Sequence, residues 1–149
     1  MAITQGTAAV WSGVDKGFSI DAQPLPTLRP GEVLVRTELA TVCGSDLHTI
    51  NGDRPTPLPT VLGHEAIGHV VTTGGGATAA DGSPVAEGYG HEAIDDHWLF
   101  NGGFGDHVHL VAGTGLVRLA ADLPAGGGHP RELRDRHGGL RGTTGGPDR

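Results

Sequence analysis

Apolar positions along this chain come in short runs, each closed by glycine, proline or polar turn residues. Residues 8–11 form the first run. Residues 18–22 alternate, placing Phe18, Ile20 and Ala22 on one face of a short strand. Pro24, Pro26 and Pro30 then break the chain into extended turns. Residues 33–42 carry the best strand pattern, rich in Val, Leu and Thr and partly alternating with Arg36 and Glu38. Residues 66–73 read as another strand. In residues 104–111, Phe104, Asp106, Val108 and Leu110 share one face and leave His107 and His109 on the other; paired strand histidines can bind metal, but a half-exposed polar face is the commoner reading. Residues 114–119 read as a last strand. About six short strands with turns between them predict a mainly β fold, a small barrel or sandwich.

Between these runs the pattern changes twice. Residues 43–51 predict a short helical turn carrying Leu47 and Ile50, capped by Ser45 or Asp46. Pro55, Pro57 and Pro59 then forbid regular helix and predict an extended loop. Gly74 to Gly76 open a glycine-rich loop. It shares only glycine content with phosphate-cradling loops, because no G-x-G-x-x-G string follows a strand. From residue 125 glycine is abundant, Val, Ile and Phe are absent, and Arg131, Arg134, Arg136, Arg141 and Arg149 supply the charge. That composition predicts a disordered tail, 125–149, behind a domain spanning 1–124.

Composition narrows the function classes. With 27 glycines, 10 prolines and 4% aromatic residues among 149, a modest β core is expected rather than a large helical one. A net charge of −7 leaves no basic stripe to neutralise phosphates, which excludes nucleic acid as a partner. The one cysteine, Cys43, cannot form an internal disulfide. No basic segment followed by an apolar one opens the chain, and no apolar run approaches the ~18 residues of a membrane span. The expected location is the cytoplasm, with no membrane partner.

The chemistry concentrates in Cys43 and His64. Thiolate and imidazole are preferred zinc ligands. Each residue flanks a predicted strand, where a rigid scaffold aims side chains. Alone, a single cysteine is more often a small buried hydrophobe. The surrounding words change that reading. Gly31-Glu32-Val33-Leu34-Val35 resembles the GEVLV string of medium-chain alcohol dehydrogenases. Cys43-Gly44-Ser45-Asp46-Leu47-His48 resembles their CGSDxH motif, and Gly63-His64-Glu65-Ala66-Ile67-Gly68 their GHExxG zinc signature. The three words keep that family's order and spacing, and the likeness runs over residues 8–85 and again over 89–123.

The resemblance implies a GroES-like, partly open barrel with short helical turns. It implies that Cys43 and His64 ligate zinc and that Glu65 is a neighbouring or exchangeable ligand. Ser45 would touch a substrate hydroxyl, and His48 would relay its proton to solvent. Asp46 would pair with a basic group. The implied reaction is NAD(P)-linked interconversion of a small alcohol with its aldehyde or ketone, zinc acting as Lewis acid. The words Thr41-Val42-Cys43 and Thr49-Ile50-Asn51-Gly52 resemble a branch associated with phosphonate breakdown. The histidine of Gly90-His91-Glu92-Ala93 reads as a loop feature before a metal ligand.

The chain departs from that family in three ways. Val85-Ala86-Glu87-Gly88 runs directly into Tyr89-Gly90-His91, as if a lobe were deleted near 86–89; with one cysteine, its Cys₄ zinc site is impossible. No nucleotide-binding domain follows, so no NAD(P)-binding residues are assigned. The third catalytic-zinc ligand, expected just past residue 123, is not visible. Read one base out of frame with G/C-rich codons, residues from Gly127 onward resemble the family's segment around that ligand. The expectation is therefore a catalytic-domain fragment inactive alone, with its exposed barrel face covered in an oligomer or by a partner chain. The alternatives are one chain of a split dehydrogenase and a non-catalytic GroES-like interaction module.

Overall fold

The structure, a computed structural model, describes residues 4–75 and 90–119. The junction near 86–89 and the tail 125–149 lie outside those residues. Among the described residues, six strands and one helix follow in chain order: β1 Gln5–Trp11, β2 Phe18–Pro24, β3 Val33–Ala40, α1 Gly44–Asn51, β4 Thr60–Val61, β5 Ala66–Thr73 and β6 His107–Leu110. They form two antiparallel three-stranded sheets, ordered β2-β1-β4 and β5-β3-β6. Among the described residues the two sheets do not close on each other. This is the mainly β, partly open GroES-like barrel that the motifs implied.

The inward positions of β1 explain where the core sits. Gly6, Ala8 and Val10 alternate toward the interior, as a period of two requires. Ala8 and Val10 meet Val61 and Phe100, with Leu25, Ile94, Leu99 and Phe104 packed around them. The segment before β6 ties the two sheets together. Phe104 N–H donates to the Leu62 carbonyl, Ala8 bridges Gly105, and Asp106 N–H donates to the Thr7 carbonyl. Gly102 makes this approach possible, since a Cβ there would collide with the Val61 carbonyl oxygen. The strand predicted from residue 104 therefore starts at His107, because its first residues are spent on this crossing.

Four further expectations are corrected. Residues 114–119 form no strand: Gly113 at φ 88° turns the chain, and the Thr114 N–H and hydroxyl both fold back onto the Val111 carbonyl. The strand predicted over 33–42 ends at Ala40, because the chain turns there toward Cys43, the cap of the helix that begins at Gly44. The helix is capped by Cys43 rather than Ser45 or Asp46; Asp46, at the third helical position, accepts the Cys43 N–H at 2.8 Å. His107 and His109 do not lie on a half-exposed face, being 4% and 0% exposed. The loop through His97 and Phe100 covers β6, so both its faces are interior.

The shared face of Phe18, Ile20 and Ala22 does form, and it points to solvent, with Ile20 72% exposed. On β5, at an edge of the other sheet, Val70 and Val71 are likewise exposed.

The helix ends at Gly52, whose φ of 84° is left-handed and whose N–H caps the His48 and Thr49 carbonyls. Gly52→Ala should cost about 1 kcal/mol, since a Cβ strains this conformation. A denaturant midpoint equal to the wild type's would contradict this.

Candidate functional site

Strand register brings Cys43 and His64 together. β3 and β5 pair antiparallel with Ala40 opposite Ala66, so the residues just after β3 and just before β5 leave the sheet at the same edge. Thr41 and Glu65 continue the pairing through the Thr41 N–H to Glu65 carbonyl bond. Beyond them, Cys43 Sγ lies 3.5 Å from His64 Nε2. Gly63 sets the approach of His64: its φ is +90°, and a Cβ there would sit 2.5 Å from the Phe104 ring.

Asp46 organises this pair from beneath. It is fully buried, and one carboxyl oxygen accepts the Cys43 N–H at 2.8 Å. The other accepts the Gly63 N–H at 3.2 Å and lies 3.8 Å from His64 Nδ1. The carboxyl thus lies on the Nδ1 side of the ring, and Nε2 is the nitrogen nearer to Cys43. Asp46 was expected to pair with a basic group; its hydrogen bonds go instead to two backbone N–H groups, with His64 Nδ1 nearby at 3.8 Å.

The other expected residues fall at different distances from this centre. Ser45 Oγ is 2.8 Å from Cys43 Sγ. Glu65 turns its carboxyl to the Thr41 hydroxyl at 2.8 Å and is not among the donors converging with Cys43 and His64. His48 points outward at the end of α1, 66% exposed, with its Nδ1 3.5 Å from Asp53. His91, read from sequence as a loop feature, places its ring 5.4 Å from that of His64, with Nε2 3.3 Å from the Arg54 guanidinium. Its buried Nδ1 has no hydrogen-bond partner. Burial, the Arg54 charge and the His64 ring lower the His91 pKa below the usual imidazole value and keep it neutral.

Cys43, Asp46 and His64 are one of two groups of metal-type donors among the described residues. Tetrahedral zinc, with bonds of about 2.3 Å to sulfur and about 2.0–2.1 Å to nitrogen, sets two such donors roughly 3.5 Å apart. The observed Cys43–His64 separation fits that geometry without rearrangement.

The second group, Glu32, His97 and His109, was not foreseen. The GEVLV word marked Glu32, and the strand pattern marked His109. His97 carries no sequence signal, because only the fold of the 90–101 loop brings it to β6. Burial alone would raise the Glu32 pKa. The Arg29 N–H and the His97 and His109 imidazoles outweigh burial and hold it at about 2. Burial lowers the His109 pKa in turn, against the pull of Glu32.

Comparison with known proteins bears on the fold and the family. The alcohol dehydrogenase GroES-like domain matches residues 29–121. An L-threonine 3-dehydrogenase from Chelativorans sp. (strain BNC1) is 34% identical over 118 residues, covering 76% of this chain and 34% of that protein. An alcohol dehydrogenase from Rhizobium meliloti is 41% identical over 75 residues, covering 48% of this chain and 22% of that one. Among solved structures, an alcohol dehydrogenase from Thermotoga maritima superposes with a TM-score of 0.66 at 23% identity, covering 78% of this chain and 41% of that one. The chain spans about a third of the length of the threonine dehydrogenase it matches. With the family match covering more than half of its residues, the chain belongs to the alcohol dehydrogenase family through its GroES-like domain.

Proposed function

We propose that this chain supplies the zinc-holding half of an NAD(P)-linked alcohol dehydrogenase site and turns over no substrate by itself. The observation that carries the reading is the 3.5 Å separation of Cys43 Sγ and His64 Nε2 at one sheet edge. Cys43 and His64 would hold the metal. Bound there, zinc supplies Lewis-acid polarisation of an alcohol or carbonyl oxygen. The protein's own contribution is positional. Asp46 fixes the helix start that carries Cys43 and orients His64. The Ser45 hydroxyl stands beside the sulfur, where it can donate to or accept from a substrate hydroxyl. Glu65 stays with Thr41 as a reserve ligand. His48, in contact with Asp53 at the surface, suits proton exchange with solvent.

A complete catalytic zinc has three protein donors and an open position. His91 is the nearest neighbouring imidazole and is neutral, the form that ligates metal. It is the candidate third donor in this chain. Hydride transfer also needs a nicotinamide held rigidly over the metal. The described residues comprise two antiparallel sheets and one short helix. They contain no parallel β-α-β unit of the kind that cradles a dinucleotide. The exposed apolar residues Phe18, Ile20, Val70 and Val71 fit a domain that works against a partner surface, either an oligomer or another chain. We take 1–124 as this domain, 125–149 as a separate tail, and the cytoplasm as its location. Among the described residues no helix is long and apolar enough to cross a membrane.

The test is metal content with and without Cys43. Purified chain should bind zinc, and Cys43→Ala should lose about one equivalent. With cobalt in place of zinc, a sulfur-to-metal charge-transfer band should appear in the wild type and vanish in Cys43→Ala. His91→Ala should weaken binding by roughly 10–100-fold if that ring is the third donor. Equal metal content in wild type and Cys43→Ala, with no charge-transfer band, would overturn the reading.

A further inference from the structure

We infer that Glu32, His97 and His109 form a separate divalent-metal site of the zinc type, which fastens the start of β3 to β6 and to the 95–98 turn. It shares no residue with the Cys43–His64 pair and does not rest on the function proposed above. Two imidazoles and one carboxylate are a donor set that zinc accepts. Their atoms already converge. His97 Nε2 lies 3.0 Å and 3.2 Å from the two Glu32 carboxyl oxygens, and His109 Nε2 lies 3.0 Å from Glu32 Oε2. Donors on a tetrahedral zinc at about 2.0–2.1 Å stand roughly 3.3 Å apart; the two carboxyl–imidazole separations are within a few tenths of an ångström of that, and all three donor atoms lie within 4.8 Å of one another.

Each donor comes from a differently anchored segment, as a preorganised site requires. Glu32 keeps its Oε2 bonded to the Arg29 N–H at 2.7 Å. His109 lies in β6 opposite Leu34 of β3, and its carbonyl accepts the Trp98 indole N–H at 2.8 Å. His97 is aimed by a tight turn in which Asp95 accepts the His97 and Trp98 N–H groups at 2.8 Å and 2.7 Å. Glu32 and His109 are buried, whereas His97 is a quarter exposed and leaves a path for the ion. Metal entry requires each ring to carry its proton on Nδ1 instead of Nε2, a change of tautomer with no net proton release. The buried His109 Nδ1 has no acceptor. That missing outer bond should weaken the site by roughly 10–100-fold relative to one whose rings are both supported.

The test uses the full-length chain carrying Cys43→Ala, so that the thiol site is silent. Zinc titration should show about one equivalent bound, and zinc should raise the Tm by a few degrees. Adding His97→Ala should abolish both effects. His97 is the most exposed of the three, so its loss is the least disruptive to folding. As a readout independent of folding, zinc should move the Nε2 resonances of His97 and His109 in long-range ¹H–¹⁵N spectra of the Cys43→Ala protein. Three outcomes would overturn the assignment: no metal on Cys43→Ala, undiminished metal on the double variant, or unshifted Nε2 resonances with metal bound elsewhere.

Discussion

Asp46→Ala is expected to lower the unfolding free energy by about 3 kcal/mol and to abolish metal binding at Cys43. The carboxyl is fully buried and accepts two backbone N–H groups, those of Cys43 and Gly63. Alanine leaves both donors unpaired in the interior, at about 1–3 kcal/mol each, and removes half of the helix capping box. It also frees the His64 ring, whose Nδ1 faces the carboxyl at 3.8 Å. Cys43→Ala provides the contrast. It removes the metal donor but leaves Asp46 bonded to the residue-43 amide, so its stability loss in chelator should stay under about 1 kcal/mol. Urea unfolding of both variants with chelator present separates the two roles. An Asp46→Ala midpoint within error of the wild type's would show that those buried N–H groups find other partners, and that Asp46 does not organise the site.

This coupling explains why part of the site was legible in the sequence and part was not. Cys43 and His64 sit within words whose spacing ties them to strand ends, and antiparallel register does the rest. The helix was legible too, from Leu47, Ile50 and the polar residues before them. Its cap was misplaced because Ser45 and Asp46 are stronger intrinsic cappers than cysteine. Asp46 instead reaches back from the third helical position, which a single-residue propensity does not encode.

The failures share a physical cause: they depend on what covers a strand, not on the strand itself. Alternation in β6 separates His107 and His109 from Val108, but cannot say that the loop bearing His97 and Phe100 closes over the supposed polar face. Residues 114–119 have strand-like apolar content, with Val117 among them, yet no hydrogen-bonding edge is reached once Gly113 and Thr114 turn the chain. The apolar face of β2 forms as the alternation predicts, and it stays exposed because no described element packs over it. Apolar pattern therefore located the elements, while burial of their second faces was decided by loops.

Those loops also give the protein a definite response to acid. In the presence of chelator, stability should be flat above about pH 7, fall as pH drops below 6.5, and fall further between pH 4.5 and about 2. The upper limb comes from His109, whose pKa is lowered by burial from 6.5. The unfolded chain takes up that proton first, so stability declines as pH falls through 6.5. The lower limb comes from Glu32, whose pKa moves from 4.5 to about 2 in the folded protein. Its contribution is complete above 4.5 and is lost as pH falls toward 2. At about 1.4 kcal/mol for each tenfold change in proton affinity, the carboxyl alone supplies about 3 kcal/mol. Protonating Glu32 also turns a charged acceptor shared by both imidazoles into a neutral, weaker one. Glu32→Gln should flatten the limb below pH 4.5 and lower stability at neutral pH, where the amide replaces a charged acceptor with a weaker one. Urea midpoints followed from pH 8 to pH 3 in wild type and variant test this directly. A wild-type curve with no decline below pH 4.5, or a variant that declines as steeply, would show that the Glu32 cluster does not hold β3 to β6.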